Sequence, residues 1–197
     1  MQFGATLATF VGDWGVILSN LMPYKSRSPK FRPAPSMATA TLVANRFLAL
    51  AAAAGRPLTP LQLIKLTYLA YAWNLELRGK KLFQEQPQAW QYGPVIPSLY
   101  HKVKSFRDQP IAGYLPLDWF TSNDALTADE QLLIDQVFQS YGAYSGIQLS
   151  SMTHQPGAPW YQVWHSFGRN APIPDELIKS HYDEIRRNRQ PQPQPQQ

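Results

Sequence analysis

Apolar residues recur at steps of three and four along most of this 197-residue chain, which is the spacing of helices with one buried face. The clearest such segment opens at Thr59, which can cap a helix, with Pro60 as the first helical residue and Gln62 in the third position of a capping box. Arg78 and Gly79 mark its end, because glycine readily takes the left-handed conformation that closes a helix. Its apolar face is so wide that we expect a central helix, contacted on several sides.

Helical periodicity and start signals predict six further helices around this central one. They are expected over about residues 41–54, 97–106, 127–140, 145–153, 159–167 and 175–188. Residues 107–126 are rich in proline and aromatic side chains, including Tyr114, and they predict a loop that packs onto the domain. The predicted fold class is therefore mainly α, a bundle-like single domain with a small β element.

The β element is predicted at residues 89–92, where aromatic side chains alternate with other residues at the period of a strand. The sequence there is Ala89-Trp90-Gln91-Tyr92. Gly93-Pro94 is expected to break the strand, and Pro97 suits the first position of the helix that follows. We expect this element to turn the chain between two helices and to place Trp90 and Tyr92 against the central helix.

The two ends of the chain differ in composition from the middle. Residues 1–36 combine an apolar stretch, interrupted by polar residues and glycines, with a linker rich in proline, serine and basic residues. The apolar stretch lacks the preceding positive charge of a signal peptide, so neither export nor a membrane anchor is expected. We expect residues 1–36 to be a poorly ordered extension, with Met37 as a candidate natural start. The helical domain is predicted over residues 37–188, and a disordered Pro/Gln tail over residues 189–197.

The formal net charge of +5 is concentrated in the first 36 residues, which carry four basic side chains and one acidic side chain. The predicted domain is close to neutral, whereas a dedicated nucleic-acid binder usually has a dense basic face. Nucleic acid is therefore not the expected partner. The chain has no cysteine, which excludes disulfides, thiolate nucleophiles and zinc-finger sites. This composition is compatible with a reducing cytoplasm.

The sequence contains no arrangement of residues that is typical of an enzyme or cofactor site. It has no phosphate-binding glycine loop, nucleophile elbow or metalloprotease histidine pair, and none of its four histidines has a metal-type partner four residues away. The acidic pairs at residues 129–130 and 175–176 stand in predicted first helical turns, where negative charge complements the helix dipole. We therefore predict no catalytic residue, no metal and no cofactor.

Polar and aromatic residues in apolar surroundings leave alternatives open. His154 lies in a Thr-His-Gln-Pro-Gly turn, where it either hydrogen-bonds the turn backbone or takes part in recognition. Lys65 either packs its stem among apolar neighbours while its amine reaches solvent, or is buried and paired with a carboxylate. Trp90 and Tyr92 belong either to the core or to an interface, since aromatic residues with a polar group are common interface anchors.

Two blocks of sequence resemble the Panacea domain, the family of SocA-type antitoxins and of phage-associated GepA-like proteins. The first block runs from Lys65 to Trp73 and continues through Leu82-Phe83 to Ala89–Tyr100, and the second is Leu149–Trp160. The order and spacing of the blocks extend the resemblance over about residues 40–185. The residues of the family motifs, with a structural or partner-binding role, are Lys65, Tyr68, Trp73, Trp90, Tyr92, Gly93, Pro94, Val95, Tyr100, His154 and Trp160.

The resemblance implies a mainly helical domain with a non-enzymatic role, as the antitoxin of a toxin–antitoxin pair in the bacterial cytoplasm. Members of the family are expected to neutralise a cognate toxin protein by direct contact, and the SocA type acts as a proteolytic adaptor that brings its toxin to a cytoplasmic protease. Asn74 departs from the family pattern, which often has histidine after the tryptophan. Two alternatives remain: a DNA-binding regulator of its own operon, and a phage-associated protein that interacts with the host.

Overall fold

The computed structural model of the protein describes residues 38–117 and 125–189. This part of the chain forms seven α-helices and three short strands. In chain order they are α1 (Ala40–Ala53), α2 (Pro60–Arg78), β1 (Gln88–Trp90), β2 (Gly93–Val95), α3 (Pro97–Val103), α4 (Ala128–Tyr141), α5 (Gly146–Thr153), α6 (Pro159–Phe167), β3 (Ala171–Pro172) and α7 (Asp175–Arg189). The predicted mainly α fold with a small β element is confirmed. The predicted extension at residues 1–36, and all of the predicted tail except Arg189, lie outside the described residues.

Helix α2 is the centre of the fold, as its wide apolar face predicts. Fifteen of its nineteen residues are buried, and helices α1, α4, α5 and α7 all pack against it. The predicted capping box is present, because the Gln62 side chain accepts a hydrogen bond from the backbone N–H of Thr59 at 3.0 Å. Gly79 ends the helix in the left-handed conformation, with φ +65°.

Helices α1 and α4 also pack on each other. The rings of Phe47 and Phe138 lie 6.5 Å apart between centroids. The Arg46 guanidinium donates two hydrogen bonds to the Asp135 carboxylate, at 2.8 and 2.6 Å. A two-bond ion pair of this kind fixes the orientation of both side chains, so it sets the register between the two helices.

The loop that follows α3 is tied to α1 by a pair of hydrogen bonds. The Asn45 side chain donates to the Leu115 carbonyl at 2.9 Å and accepts from the Leu115 N–H at 2.8 Å. Ile111 and Leu115 are buried, so the loop does pack onto the domain. The side chain of Tyr114, between these two residues, is 70% exposed.

The three strands form one antiparallel sheet in the order β2-β1-β3. β1 and β2 are joined by a two-residue turn at Gln91–Tyr92, and Trp90 pairs with Gly93 beside that turn. β3 pairs with β1 from a part of the chain some eighty residues later, with Ala89 opposite Ala171. A strand of two residues has no periodicity to detect, which is why the sequence pattern did not predict β3.

The predicted break at Gly93-Pro94 is wrong, because both residues belong to strand β2 and the turn comes earlier. Facing residues in an antiparallel pair alternate between bonded and non-bonded positions. Pro94 has no N–H, and it stands opposite Ala89 at a non-bonded position on an edge strand, where proline is tolerated. Its carbonyl therefore points away from β1 and needs a partner elsewhere.

The N-terminus of α7 is fixed to α2 and to the segment before β1 through one carboxylate. Asp175 accepts hydrogen bonds from the Tyr71 hydroxyl at 2.7 Å and from the Gln86 amide at 3.1 Å, and forms an ion pair with Lys81 at 2.9 Å. Burial raises the pKa of the Asp175 carboxyl, but the hydrogen bonds from Tyr71, Lys81 and Gln86 outweigh it and hold that pKa below its ordinary value. Farther along α7, Arg186 pairs with the buried Glu76 of α2.

We expect Asp175→Asn to lower the free energy of unfolding at pH 7 by about 1–2 kcal/mol, because charge-assisted hydrogen bonds become neutral ones. A carboxyl with a depressed pKa in the folded state stabilises the protein above its unfolded pKa of 3.8, and this stability is lost as the pH falls through the folded value. The difference between wild type and variant should therefore narrow from pH 7 to pH 3 in urea unfolding. Asp108→Asn, at an exposed carboxylate, is the control. An equal difference at both pH values would contradict this account.

Candidate binding surface around the hairpin

The β1–β2 hairpin is held against the central helix by a buried lysine. Lys65 has no exposed surface, and its amine donates a hydrogen bond to the Pro94 carbonyl at 3.0 Å. This is the carbonyl that β1 leaves without a partner. Gly93 has φ +101°, and a Cβ at this position would lie 2.5 Å from the Lys65 amine and 3.0 Å from Cε1 of His154. Only glycine fits here, because its neighbours occupy the space that a side chain would need.

Both sequence-based alternatives for Lys65 are wrong. The amine does not reach solvent, and among residues 38–117 and 125–189 no carboxylate forms an ion pair with it. Its partner is a backbone carbonyl instead. Burial without a compensating negative charge lowers the pKa of the Lys65 amine to about 7.

His154 and Trp160 hold the hairpin from the other side. His154 caps the C-terminus of α5, and its Nδ1 hydrogen-bonds the Ser150 carbonyl, which confirms the predicted bond to the local backbone. Since a carbonyl only accepts, Nδ1 carries the proton. The His154 ring lies against the Trp160 indole with centroids 3.7 Å apart. The Trp160 indole N–H in turn donates to the Trp90 carbonyl at 2.8 Å.

The turn of the hairpin presents Tyr92 to solvent. Tyr92 is 68% exposed, so the prediction that it packs against the central helix is wrong. The two-residue turn explains this result, because Tyr92 lies at its tip and not in a strand. The Ser150 hydroxyl donates to the Tyr92 carbonyl at 2.7 Å and fixes the turn to α5. Trp90 is half-buried, with its ring 4.9 Å from that of Tyr100.

The structure brings most of the motif residues together and leaves two of them in the core. Lys65, Gly93, His154 and Trp160 surround the hairpin, which itself carries Trp90, Tyr92, Pro94 and Val95, and Tyr100 packs against Trp90. Tyr68 is fully buried one turn after Lys65, and burial raises the pKa of its hydroxyl. Trp73 packs edge-on against Tyr182 of α7, between the central helix and the last helix.

Sequence reasoning missed two residues of this surface, Ser150 and Ile147. Ile147 is 75% exposed and stands one turn before Ser150 on α5, on the side of the helix that meets the hairpin turn. A Cβ at the preceding Gly146 would lie 2.9 Å from Leu61, so α5 approaches α2 closely at that residue and Ile147 points away. We use the name hairpin surface for the side chains of Tyr92 and Ile147 together with the backbone that the hydrogen bond from Ser150 to Tyr92 joins. The pattern gave no signal for Ile147, because a single apolar residue inside the capping box Ser145–Gln148 does not indicate whether its side chain is buried.

Within the described ranges, no group of three or more His, Asp or Glu side chains is placed to hold a metal ion. The same ranges contain no helix that is both long and apolar enough to cross a membrane.

The fold and the site together define a class of protein. It is mainly α, and it carries a glycine-dependent hairpin that a buried lysine and an aromatic pair support. Residues 63–161 match the family described as Antitoxin SocA-like, Panacea domain. The chain therefore belongs to the SocA-like Panacea family, and the side chains of Lys65, Ser150 and Trp160, which hydrogen-bond the hairpin backbone, lie inside the matched range. Antitoxin SocA of Caulobacter vibrioides is 28% identical over 164 residues, which are 78% of this chain and 87% of that protein. No solved structure matches the chain.

Proposed function

We propose that this protein is the antitoxin of a toxin–antitoxin pair and neutralises a cognate toxin by direct, non-enzymatic binding. Membership of the SocA-like antitoxin family supports the antitoxin role. The observation that carries the binding mode is the hairpin surface, where the side chains of Tyr92 and Ile147 are exposed although the backbone beneath them is firmly held. Exposed aromatic and aliphatic side chains on a fixed backbone are the usual anchors of a protein interface.

The support of the hairpin contributes to affinity through preorganisation. Three hydrogen bonds fix its backbone: from the amine of Lys65, the hydroxyl of Ser150 and the indole of Trp160. A surface that is already ordered loses little conformational entropy on binding, so more of the contact energy appears as affinity. Under this proposal, the buried lysine and the histidine–tryptophan pair contribute to affinity because they keep the two-residue turn ordered before the partner binds.

The proposal includes a second partner, a cytoplasmic protease to which the antitoxin brings its bound toxin. The name of the Caulobacter relative supports only the antitoxin role, so this step has its own test. In cells that express toxin and antitoxin together, the half-life of the toxin should shorten when the antitoxin is present. A toxin that is neutralised but equally long-lived would reject the adaptor role and leave neutralisation intact.

Co-expression tests the neutralisation directly. The product of the open reading frame beside this gene is expressed with and without the protein, and growth is measured. Rescue of growth, together with co-purification of the two proteins, is the expected result. Failure of both with every neighbouring product would overturn the proposal.

Tyr92→Ala is expected to weaken toxin binding by 2 kcal/mol or more, roughly 30-fold in Kd, because truncation of an interface anchor typically has this effect. Stability should change by less than about 0.5 kcal/mol, since the side chain is mostly exposed. Phe167→Ala, at another aromatic residue that is 77% exposed, is the matched control and should bind normally. Calorimetric titration of the purified pair gives the Kd values, and equal affinities for both variants would remove Tyr92 from the interface.

A further inference from the structure

A preformed cavity of about 300 Å³ opens between the end of α1, the loop into α2, and the loop that contains Ile111. Its floor is apolar and buried, with Leu48, Leu58 and Ile111 all less than one-tenth exposed. The Ile111 N–H donates to the Leu58 carbonyl at 2.9 Å, which joins the two loops and keeps the cavity open. The cavity is large enough for one leucine or phenylalanine side chain, and lies at the lower end of the range for small-ligand sites.

The lining of this cavity contains one charged side chain, that of Arg56. Arg56 is exposed at the rim with its guanidinium 5.5 Å from the centre of the Phe138 ring, and no carboxylate of the described residues forms an ion pair with it. The exposed Tyr114 adds a second flat wall.

The N–H groups of Ala54, Gly55 and Arg56 donate to the carbonyls of Leu50, Ala52 and Ala51 respectively, so these three carbonyls at the end of α1 already have partners. A carboxylate needs a hydrogen-bond donor, which a carbonyl oxygen cannot supply and a guanidinium can. The guanidinium is therefore the polar group that the rim offers, beside an apolar depression. Such a pairing is complementary to an apolar side chain with a carboxylate next to it.

We propose that this cavity is a docking site for a protein partner, which inserts one large apolar side chain and places an adjacent carboxylate on Arg56. The inference does not depend on the antitoxin role, because the cavity lies on elements other than the hairpin surface. The partner segment is a C-terminal chain end whose last residue is leucine-like, so that its side chain and its carboxylate are adjacent. A single anchor in a cavity of this size binds weakly by itself, and it adds to affinity when the rest of the partner is engaged elsewhere.

The test uses the full chain, labelled with ¹⁵N, and three probes: N-acetyl-leucine, N-acetyl-leucinamide and N-acetyl-alanine. We expect N-acetyl-leucine to shift the amide signals of Gly55, Arg56 and Gly113 in a saturable way. The uncharged leucinamide should bind about three-fold more weakly, as for an exposed ion pair, and the alanine probe should not bind. Absence of saturable shifts for N-acetyl-leucine, or shifts confined to other residues, would overturn the proposal.

Two variants and a control locate the binding. Ala52→Leu places a larger side chain in the cavity and should abolish the shifts, whereas Ala53→Leu, at the next exposed position outside it, should leave them unchanged. Arg56→Gln should remove the difference between N-acetyl-leucine and N-acetyl-leucinamide. Circular dichroism confirms that each variant is folded. Equal binding by Ala52→Leu and wild type, or a persistent difference between the probes in Arg56→Gln, would contradict the site.

Discussion

Gly93→Ala is expected to destabilise the protein by about 3–5 kcal/mol. A residue with a Cβ is strained at φ +101° by roughly 1–3 kcal/mol. The new Cβ would also lie 2.5 Å from the Lys65 amine, so that amine must move and leave the Pro94 carbonyl. A buried carbonyl without its partner adds about 1–3 kcal/mol.

Gly157→Ala is the matched control, because it separates backbone strain from the close approach of Lys65. Gly157 also has a left-handed backbone, with φ +84°, but no atom lies within 4 Å of its Cβ position. Its replacement should cost only about 1 kcal/mol. Urea unfolding at pH 7 measures both variants. Equal losses in the free energy of unfolding for the two variants would mean that the contact between the hairpin and Lys65 does not contribute to stability.

Lys65→Met is expected to remove a pH dependence of stability that the wild type shows between pH 7 and pH 9. Burial lowers the pKa of the folded Lys65 amine to about 7, against 10.5 in the unfolded chain. Above pH 10.5 the Lys65 amine is neutral in both the folded and the unfolded state, so its protonation does not change the free energy of unfolding. Below pH 10.5 the amine binds a proton in the unfolded state but not in the folded state, so the free energy of unfolding falls as the pH falls. Below pH 7 the folded state binds the proton as well, and the loss levels off.

The wild type should therefore gain about 2 kcal/mol in the free energy of unfolding from pH 7 to pH 9, at 1.36 kcal/mol for each pH unit of difference in proton binding. The window stops at pH 9 because the buried hydroxyls of Tyr68 and Tyr71, whose pKa values burial raises, make their own contribution at higher pH. Urea unfolding in 0.5-unit steps gives both curves. The methionine variant should be flat, and a variant that rises as steeply as the wild type would place the titrating group elsewhere.

The central helix could be predicted from sequence because its signals are local. Thr59, Pro60 and Gln62 fix its start and Gly79 fixes its end, and all of these signals act within a few residues of the helix itself. The pairing of β3 with β1 could not be predicted, since it joins residues about eighty positions apart through only two contacts per strand. The same limit applies to Asp175. Sequence indicated only an interaction with the helix dipole, whereas its carboxylate also binds three side chains that are distant in sequence.

The sequence named several residues that lie around the hairpin, but it did not predict their geometry. The family motifs identified Lys65, Gly93, His154 and Trp160, and the structure brings them together. The alternating aromatic residues predicted that Tyr92 packs against the central helix. This was wrong because periodicity indicates which side chains share a face of a strand, but not the residue at which the strand ends. Lys65 could not be assigned a partner, since the acceptor is a backbone carbonyl, and sequence carries no mark of which carbonyls a sheet leaves unpaired.

The distribution of the hairpin's supports along the chain has a consequence for synthesis on the ribosome. The hairpin and Lys65 emerge first, but Ser150, Trp160 and the strand at Ala171 follow some sixty to eighty residues later. At the usual rate of translation this delay is several seconds, far longer than a hairpin needs to form and dissolve. The nascent chain therefore samples an unsupported turn until residues 150–172 have been made. A product that terminates before them would carry the turn of the hairpin without the supports that fix it.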